Sequence, residues 1–376
     1  MFDVLEVQIL GESHSDKMKL NLFGLPEGSE FCADSVLDML ERRKSSRSPW
    51  STPRLEKDEP IFSGGIAQTK NGEVRLERGK TFKTNGVLSA YIKNENVKKA
   101  DYDNLQTVPR PSHADFVQYV KDGKIASGGG RFSGRLTAML CVAGGVAEDI
   151  LKKHGIEVVA YVSSIGDVKL GSYKDGASVK GLDENEIKRL KGNVFGVLDE
   201  SKKEEAINLV GEVASRGDSV GGAIECLVLG VKAGSLGDNL FDGLESKIAY
   251  SVFGVPAVKG VEFGDGFDLA KMKGSEANDS FKFDGEVKTS TNRSGGINGG
   301  IANGMPITLR VAIRPTPSIS TPQESVDLAT NKPQEIVVKG RHDACIVPRA
   351  VAPVESAVAL AVLDELLKQQ IAKEAL

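Results

Sequence analysis

Glycine sets the first constraint on this chain. It holds 42 glycines, and two runs are dense in them: Ser127-Gly-Gly-Gly-Arg-Phe-Ser-Gly-Arg and Asn292-Arg-Ser-Gly-Gly-Ile-Asn-Gly-Gly-Ile-Ala-Asn-Gly-Met-Pro-Ile. Without a Cβ, such a run can enter left-handed backbone and let a ligand or another backbone come close. The first run opens a segment of helical periodicity, where free N–H groups and the positive end of the helix dipole make an anion seat. The second alternates with Ile and Asn and precedes the strand-like Ile307 to Ile313. It reads as a close backbone wall rather than a floppy surface loop. Neither run has the Walker A or GxGxxG spacing, so a P-loop kinase or a Rossmann dehydrogenase gains little support.

Histidines and arginines fall beside these runs. Of four histidines, three lie in dense polar motifs: His14 in Gly-Glu-Ser-His-Ser, His113 in Arg-Pro-Ser-His-Ala-Asp and His342 in Gly-Arg-His-Asp; His154 reads as a helix C-cap. A histidine near its ordinary pKa is the simplest proton donor or acceptor at neutral pH. Arginine clusters at Arg42, Arg43, Arg47 and Arg54, at Arg110, at Arg131 and Arg135, and at Arg341. Guanidinium forks bind carboxylate and phosphate bidentately, so this pattern points to a small, multiply anionic ligand. For the Arg42 to Arg54 stretch alone, a solvated basic face stands as the alternative.

The charge balance narrows the ligand further. Lys plus Arg total 48 against 52 Asp plus Glu, a net charge of -4, which argues against nucleic acid. Met1 to Leu10 alternates apolar and polar residues with no basic n-region, and no long apolar run follows; neither a signal peptide nor a membrane span is expected. Cys32, Cys141, Cys226 and Cys345 lie far apart with no CxxC pair, which argues against zinc or a disulfide framework and for a reducing cytoplasm.

No repeat or biased linker divides the chain, so residues 1–376 read as one domain. Val4 to Leu10, Glu73 to Arg78, Gly86 to Ile92 and Ala223 to Val231 are predicted strands, paired as antiparallel sheet. Gly134 to His154 is a predicted helix, with Leu136, Leu140, Val142, Val146 and Ile150 at helical spacing. Lys202 to Ser215 and Val354 to Ala372 are two more, the latter with Val358, Val362, Leu363 and Leu366 on one stripe.

Taken in order, the motifs resemble the chorismate synthase family along nearly the whole chain. Gly11-Glu-Ser-His resembles its first histidine motif, and Arg42-Arg43 through Arg54 its basic loop. Ile92-Lys-Asn, Asp101-Tyr102 and Arg110-Pro-Ser-His-Ala-Asp resemble the approach to its second. Gly128-Gly-Gly-Arg-Phe-Ser-Gly-Arg-Leu-Thr is similar to its Gly-Gly-Gly-Arg-Ser-Ser-Ala-Arg-Glu-Thr. Asp218-Ser-Val-Gly-Gly, Val255-Pro-Ala-Val-Lys-Gly, Gly274-Ser-Glu-Ala-Asn-Asp, the Gly/Asn stretch, Arg314-Pro-Thr-Pro-Ser-Ile and Gly340-Arg-His-Asp-Ala-Cys-Ile-Val-Pro-Arg-Ala follow in the family's order.

This resemblance implies an α+β fold, a β-α-β sandwich of antiparallel sheets with helices, assembled as a homotetramer. It implies a lyase of the shikimate pathway: 1,4-anti elimination of phosphate from 5-enolpyruvylshikimate-3-phosphate to chorismate, with reduced FMN and no net redox change. An external flavin reductase would keep the cofactor reduced. By resemblance, His14 acts on the leaving phosphate, His113 on the anionic reduced flavin, and Asp343 in removal of the C6 hydrogen. Arg42, Arg43, Arg54, Arg110, Ser133, Arg135 and Arg341 would hold substrate; Asn278, Asn298, Gly299, Gly300, Asn303, Arg314 and Ser318 would hold FMN. No metal is implied.

The sequence departs from the family pattern at several of these places. Ser15 and Ser112 stand where glycine is usual, Lys44 where proline is, Phe132 and Ala302 where serine is, and Arg314 where lysine is. A non-glycine residue at a left-handed position costs roughly 1 kcal/mol or more. These changes leave a second reading open, a catalytically altered paralogue that binds flavin or a related anionic metabolite.

Overall fold

The computed structural model describes residues 2–44, 57–67, 72–94, 107–173, 182–283, 285–338 and 342–374. Arg47, Arg54, Asp101, Tyr102, Gly340 and Arg341 lie outside them. The first sheet holds β1 (Glu6–Leu10), β2 (Lys17–Phe23), β3 (Glu30–Cys32), β4 (Ile61–Ile66), β5 (Val74–Arg75) and β6 (Thr81–Lys93). Its order is β1-β2-β6-β4-β5, with β3 also on β6, and every pairing is antiparallel. In β2, Met18, Leu20 and Leu22 alternate with Lys17, Lys19 and Asn21, and they face Ile92, Ala90 and Leu88 of β6. A period of two thus gives one dry face, and each large side chain on it contributes ~1.5–3 kcal/mol by burial.

The second sheet runs β10 (Val258–Phe263), β15 (Ile307–Ile313), β9 (Gly222–Leu229), β7 (Glu157–Ile165) and β8 (Val168–Lys169), again antiparallel throughout. Three helices fill the space between the sheets: α1 (Ala33–Arg43), α3 (Thr137–Lys153) and α8 (Val347–Glu374). α3 packs on the first sheet and α8 on β7 and β9 of the second, which makes the expected β-α-β sandwich. Close helix approach is built into α3: a Cβ at Gly144 would lie 2.2 Å from Ser356 Cβ of α8, and one at Gly145 would lie 2.6 Å from Val36 Cα of α1. The remaining helices are α2 (Asp115–Asp122), α4 (Glu184–Lys191), α5 (Lys203–Ser215), α6 (Leu244–Phe253) and α7 (Gly274–Ala277). The remaining strands form hairpins: β11 (Phe281–Phe283) with β12 (Val287–Thr289), β13 (Ile297–Asn298) with β14 (Ile301–Ala302), and β16 (Gln323–Asp327) with β17 (Lys332–Ile336).

Several sequence expectations are redrawn. The strand expected over Glu73 to Arg78 contracts to two residues in β5, and the one over Gly86 to Ile92 lengthens to the whole of β6. The helix expected from Val354 begins at Val347 and contains Pro353. Apart from Arg349 it is buried on all sides through Glu365, so no polar stripe marked its first two turns. His154 does cap α3.

Candidate active site

The first glycine run adopts a backbone that only glycine takes easily. Gly128, Gly129 and Gly130 have φ of 65°, 87° and 51°. The chain then passes through Gly134–Leu136, a 3-10 turn, before α3 begins at Thr137; the Ser133 hydroxyl accepts from the Arg135 N–H at 3.2 Å and caps that turn. Two of the three motif histidines, His14 and His113, rest on this loop. A Cβ on Gly128 would lie 2.7 Å from His14 Cε1, and one on Gly129 would lie 3.3 Å from His113 Cε1 and Nε2. The Ser13 N–H donates to Gly130 O at 3.0 Å, and His14 Nδ1 is 2.9 Å from Ser127 Oγ.

Two buried carboxylates organise the cations around the loop. Asp115 Oδ2 accepts from the Arg110 N–H at 3.0 Å and from Nε at 2.7 Å, Oδ1 accepts from Arg110 Nη2 at 2.8 Å, and Oδ1 lies 2.6 Å from His113 Nδ1. Burial pushes the Asp115 carboxyl up, but the hydrogen bonds and charges of Arg110 and His113 outweigh it and hold the group below the ordinary carboxylate range. Asp58 pairs with Arg43 Nη1 at 2.9 Å through Oδ2 and with Arg135 Nη1 at 2.5 Å through Oδ1. Burial again opposes ionisation there, and the two arginines win. Arg43 also donates to Thr137 Oγ1, Gly134 O and Arg135 O. Most of its fork therefore holds the loop in place.

The opposite wall comes from the segment after β15 and from the start of α8. Arg314 Nη1 donates to Ser112 O at 2.7 Å, and Ser318 Oγ accepts from Arg110 Nη1 at 3.1 Å. Arg349 Nη1 donates to Asp343 Oδ2 at 2.7 Å, and its Nε reaches Arg43 O at 3.3 Å. Ser112 sits at φ 58°, so this departure from glycine does carry left-handed strain, whereas Ser15 is not at positive φ. These groups enclose a cavity of ≈ 330 Å³. The N-terminal ends of α2, α3 and α8 all converge on it, and their partial positive charge favours anions.

The structure brings together His113, Asp343, Arg43, Arg110, Ser133, Arg135, Arg314 and Ser318, all of which line this cavity. His14 does not line it and rests against Gly128, which does. Arg42 points the other way from its neighbour Arg43: its Nη2 pairs with the fully buried Glu355 at 2.7 Å inside the helical layer. Asn278 is exposed at the end of α7, and Asn298, Gly299, Gly300 and Asn303 belong to the β13–β14 hairpin; none of the five lines the cavity. That hairpin packs on Asp238 and Gly243 instead. Arg54 and Arg341 lie outside the described residues. Sequence reasoning assigned no role to Asp58, Asp115 or Arg349. Asp115 and Arg349 sit inside quoted motifs, two residues after His113 and six after Asp343; Asp58 carries no local signal at all.

The chorismate synthase family model matches residues 5–367. The chain belongs to the chorismate synthase family. Among relatives of that family, the chorismate synthase of Lancefieldella parvula is 41% identical over 371 residues, covering 96% of this chain and 94% of the relative. That of Korarchaeum cryptofilum is 41% identical over 362 residues, covering 95% and 94%. A crystal structure of chorismate synthase superposes with a TM-score of 0.71 at 23% identity, covering 98% of this chain and 93% of that one, which supports the shared fold. Membership in the chorismate synthase family makes this chain a lyase.

Proposed function

We propose that this protein eliminates phosphate from 5-enolpyruvylshikimate-3-phosphate in the 1,4-anti sense, giving chorismate, with reduced FMN as cofactor and no net redox change. The carrying observation is a single cavity onto which Arg110, Arg135, Arg314, Arg349, His113 and Asp343 converge. The substrate bears a phosphate and two carboxylates, and this donor set has the charge and the forks to match them. FMN fits the same lining: Val255, Pro256, Ala257 and Pro317 offer apolar surface for a ring beside cations for a phosphate. When bound, reduced FMN supplies transient electron density as the carbon–oxygen bond breaks and recovers it afterwards.

The chain's own groups do the rest. Arg110, Arg135 and Ser133, joined by Arg54 and Arg341, hold the substrate anions in register, which turns an encounter into an oriented reaction. His14 protonates or hydrogen-bonds the departing phosphate, and Gly128 is what lets its ring come so near the cavity. His113 stabilises the anionic flavin, and Arg314 and Ser318 hold the cofactor from the other wall. Asp343, fixed by Arg349, would assist removal of the C6 hydrogen, which leaves as a proton as its bond to carbon breaks. Arg42 and the Asn278 and Asn298–Asn303 sites have no part in the cavity of one chain, so this reading does not depend on them.

We further read the chain as one domain, working as a homotetramer in the cytoplasm with flavin reduced by a separate reductase. Four free thiols agree with a reducing compartment. The deciding experiment is anaerobic incubation of the protein with chemically reduced FMN and 5-enolpyruvylshikimate-3-phosphate, following chorismate absorbance and phosphate release together. Equal amounts of both, only with reduced flavin, are expected. Flavin binding without either product would favour the altered-paralogue reading.

A further inference from the structure

We propose that Asp115 is a positioning residue that fixes the proton of His113 on Nδ1 and turns Nε2 toward the cavity beside Gly129. The inference deepens the site reading above and rests on it for its functional consequence. Its first support is the geometry of one carboxylate. Asp115 is fully buried and takes three N–H donors from Arg110 together with His113 Nδ1 at 2.6 Å. An ionised carboxylate is acceptor only, so the ring nitrogen facing it must carry the hydrogen. Arg110 Nη2, 3.1 Å from the same Nδ1, donates to Asp115 Oδ1 at 2.8 Å, so the same oxygen gathers both groups. In the neutral ring the lone pair therefore belongs to Nε2.

The second support is where Nε2 goes. His113 lines the cavity, its Nε2 and Cε1 edge lies against Gly129, and no described residue hydrogen-bonds Nε2. The one ring nitrogen left to accept or deliver a proton thus faces the ligand volume. Glycine suits the place opposite that edge, because φ is 87° there and a Cβ, 3.3 Å from the ring, would press it back by a few tenths of an ångström. The same carboxylate also aligns Arg110, whose Nη1 continues to Ser318 on the far wall. Asp115 therefore sets the substrate-side arginine and the flavin-side histidine in one frame, and both shift together if it is lost.

The test reads the tautomer directly and needs neither flavin nor substrate. With only four histidines in the chain, nitrogen-15 histidine spectra of the unliganded protein resolve His113, assigned with His113→Gln. A protonated Nδ1 with a strongly downfield proton, and a neutral-form lone pair on Nε2, is expected. The opposite neutral tautomer overturns the proposal. In Asp115→Asn that Nδ1 signature is expected to vanish, with kcat falling about tenfold or more and KM rising as Arg110 loses its alignment. Asp115→Glu should restore part of both. An unchanged tautomer in Asp115→Asn overturns the inference even if activity falls. If wild-type protein shows the tautomer but forms no chorismate, the functional reading fails and the positioning role stands.

Discussion

Residues 128–130 and residues 295–304 place glycines in the same left-handed backbone but against different neighbours. In the first run, the missing side chains at Gly128 and Gly129 make room for the rings of His14 and His113. In the second, Gly300 makes room for a carbonyl, Asp238 O, which would lie 2.1 Å from its Cβ, and Gly296 for Pro306 O at 2.5 Å. One run is shaped around movable, chemically active side chains at the edge of a cavity. The other is shaped around fixed backbone in a packed hairpin. A run of glycines therefore reports close approach without reporting what approaches, and the neighbour decides whether the place is a site.

That contrast predicts different failures. Gly300→Ala should cost the most stability, about 3 kcal/mol, because Asp238 O cannot move away and φ is 87°. Urea unfolding midpoints would show it, while the folded fraction keeps wild-type affinity for reduced FMN; an affinity loss without a stability loss would break the distinction. Gly128→Ala should cost less stability, about 1–2 kcal/mol from its left-handed φ of 65°, yet lower turnover about tenfold or more by pushing His14 aside. Normal turnover in that variant would show that the loop does not set the histidine.

Acid offers a gentler probe of the cavity wall. Asp58 and Asp115 both have carboxyls held below their ordinary 3.8 in the folded chain. The unfolded state then binds protons first, so their contribution to stability is present above about pH 4 and is lost as pH falls below it. Unfolding midpoints measured from pH 6 to pH 3 should drop, and Asp58→Asn should flatten the drop. A slope identical to wild type would remove Asp58 from the account. The smallest effect is expected for Ser112→Gly. It relieves a left-handed serine, worth ~1–2 kcal/mol, but loosens the unfolded chain by ~0.4–1 kcal/mol, so stability should rise by about 0.5 kcal/mol. A loss of stability instead would show that the serine contributes more to the folded chain than its backbone strain costs.

Local patterns carried much of the architecture. The Leu140, Val146 and Ile150 stripe marked α3, and the alternation around Val4 to Leu10 marked β1. β7 escaped because Glu157–Ile165 is buried on both faces, one under α8 and the other under α4, so its side chains do not alternate. At the site, the motifs named His113, Ser133, Arg135 and Asp343, and the structure gathers them. They could not separate Arg42 from Arg43: neighbours on a helix point about 100° apart, and which one meets the core depends on where α8 lies.

The sequence by itself determined what is periodic or short-range: the helices and strands, the glycines that need left-handed backbone, and the abundance of cations over the residues that form the cavity. Only the tertiary structure decided which of those cations remain available to a ligand. Asp58 holds Arg43 and Arg135, and Asp115 holds Arg110 and His113, at the cavity wall, while Glu355 draws Arg42 away into the helical layer. The physical reason is that backbone preference is set by a residue and its nearest neighbours along the chain. Charge pairing is set by separation through space and by the loss of water around the pair, which exist only once the sheets and helices have closed.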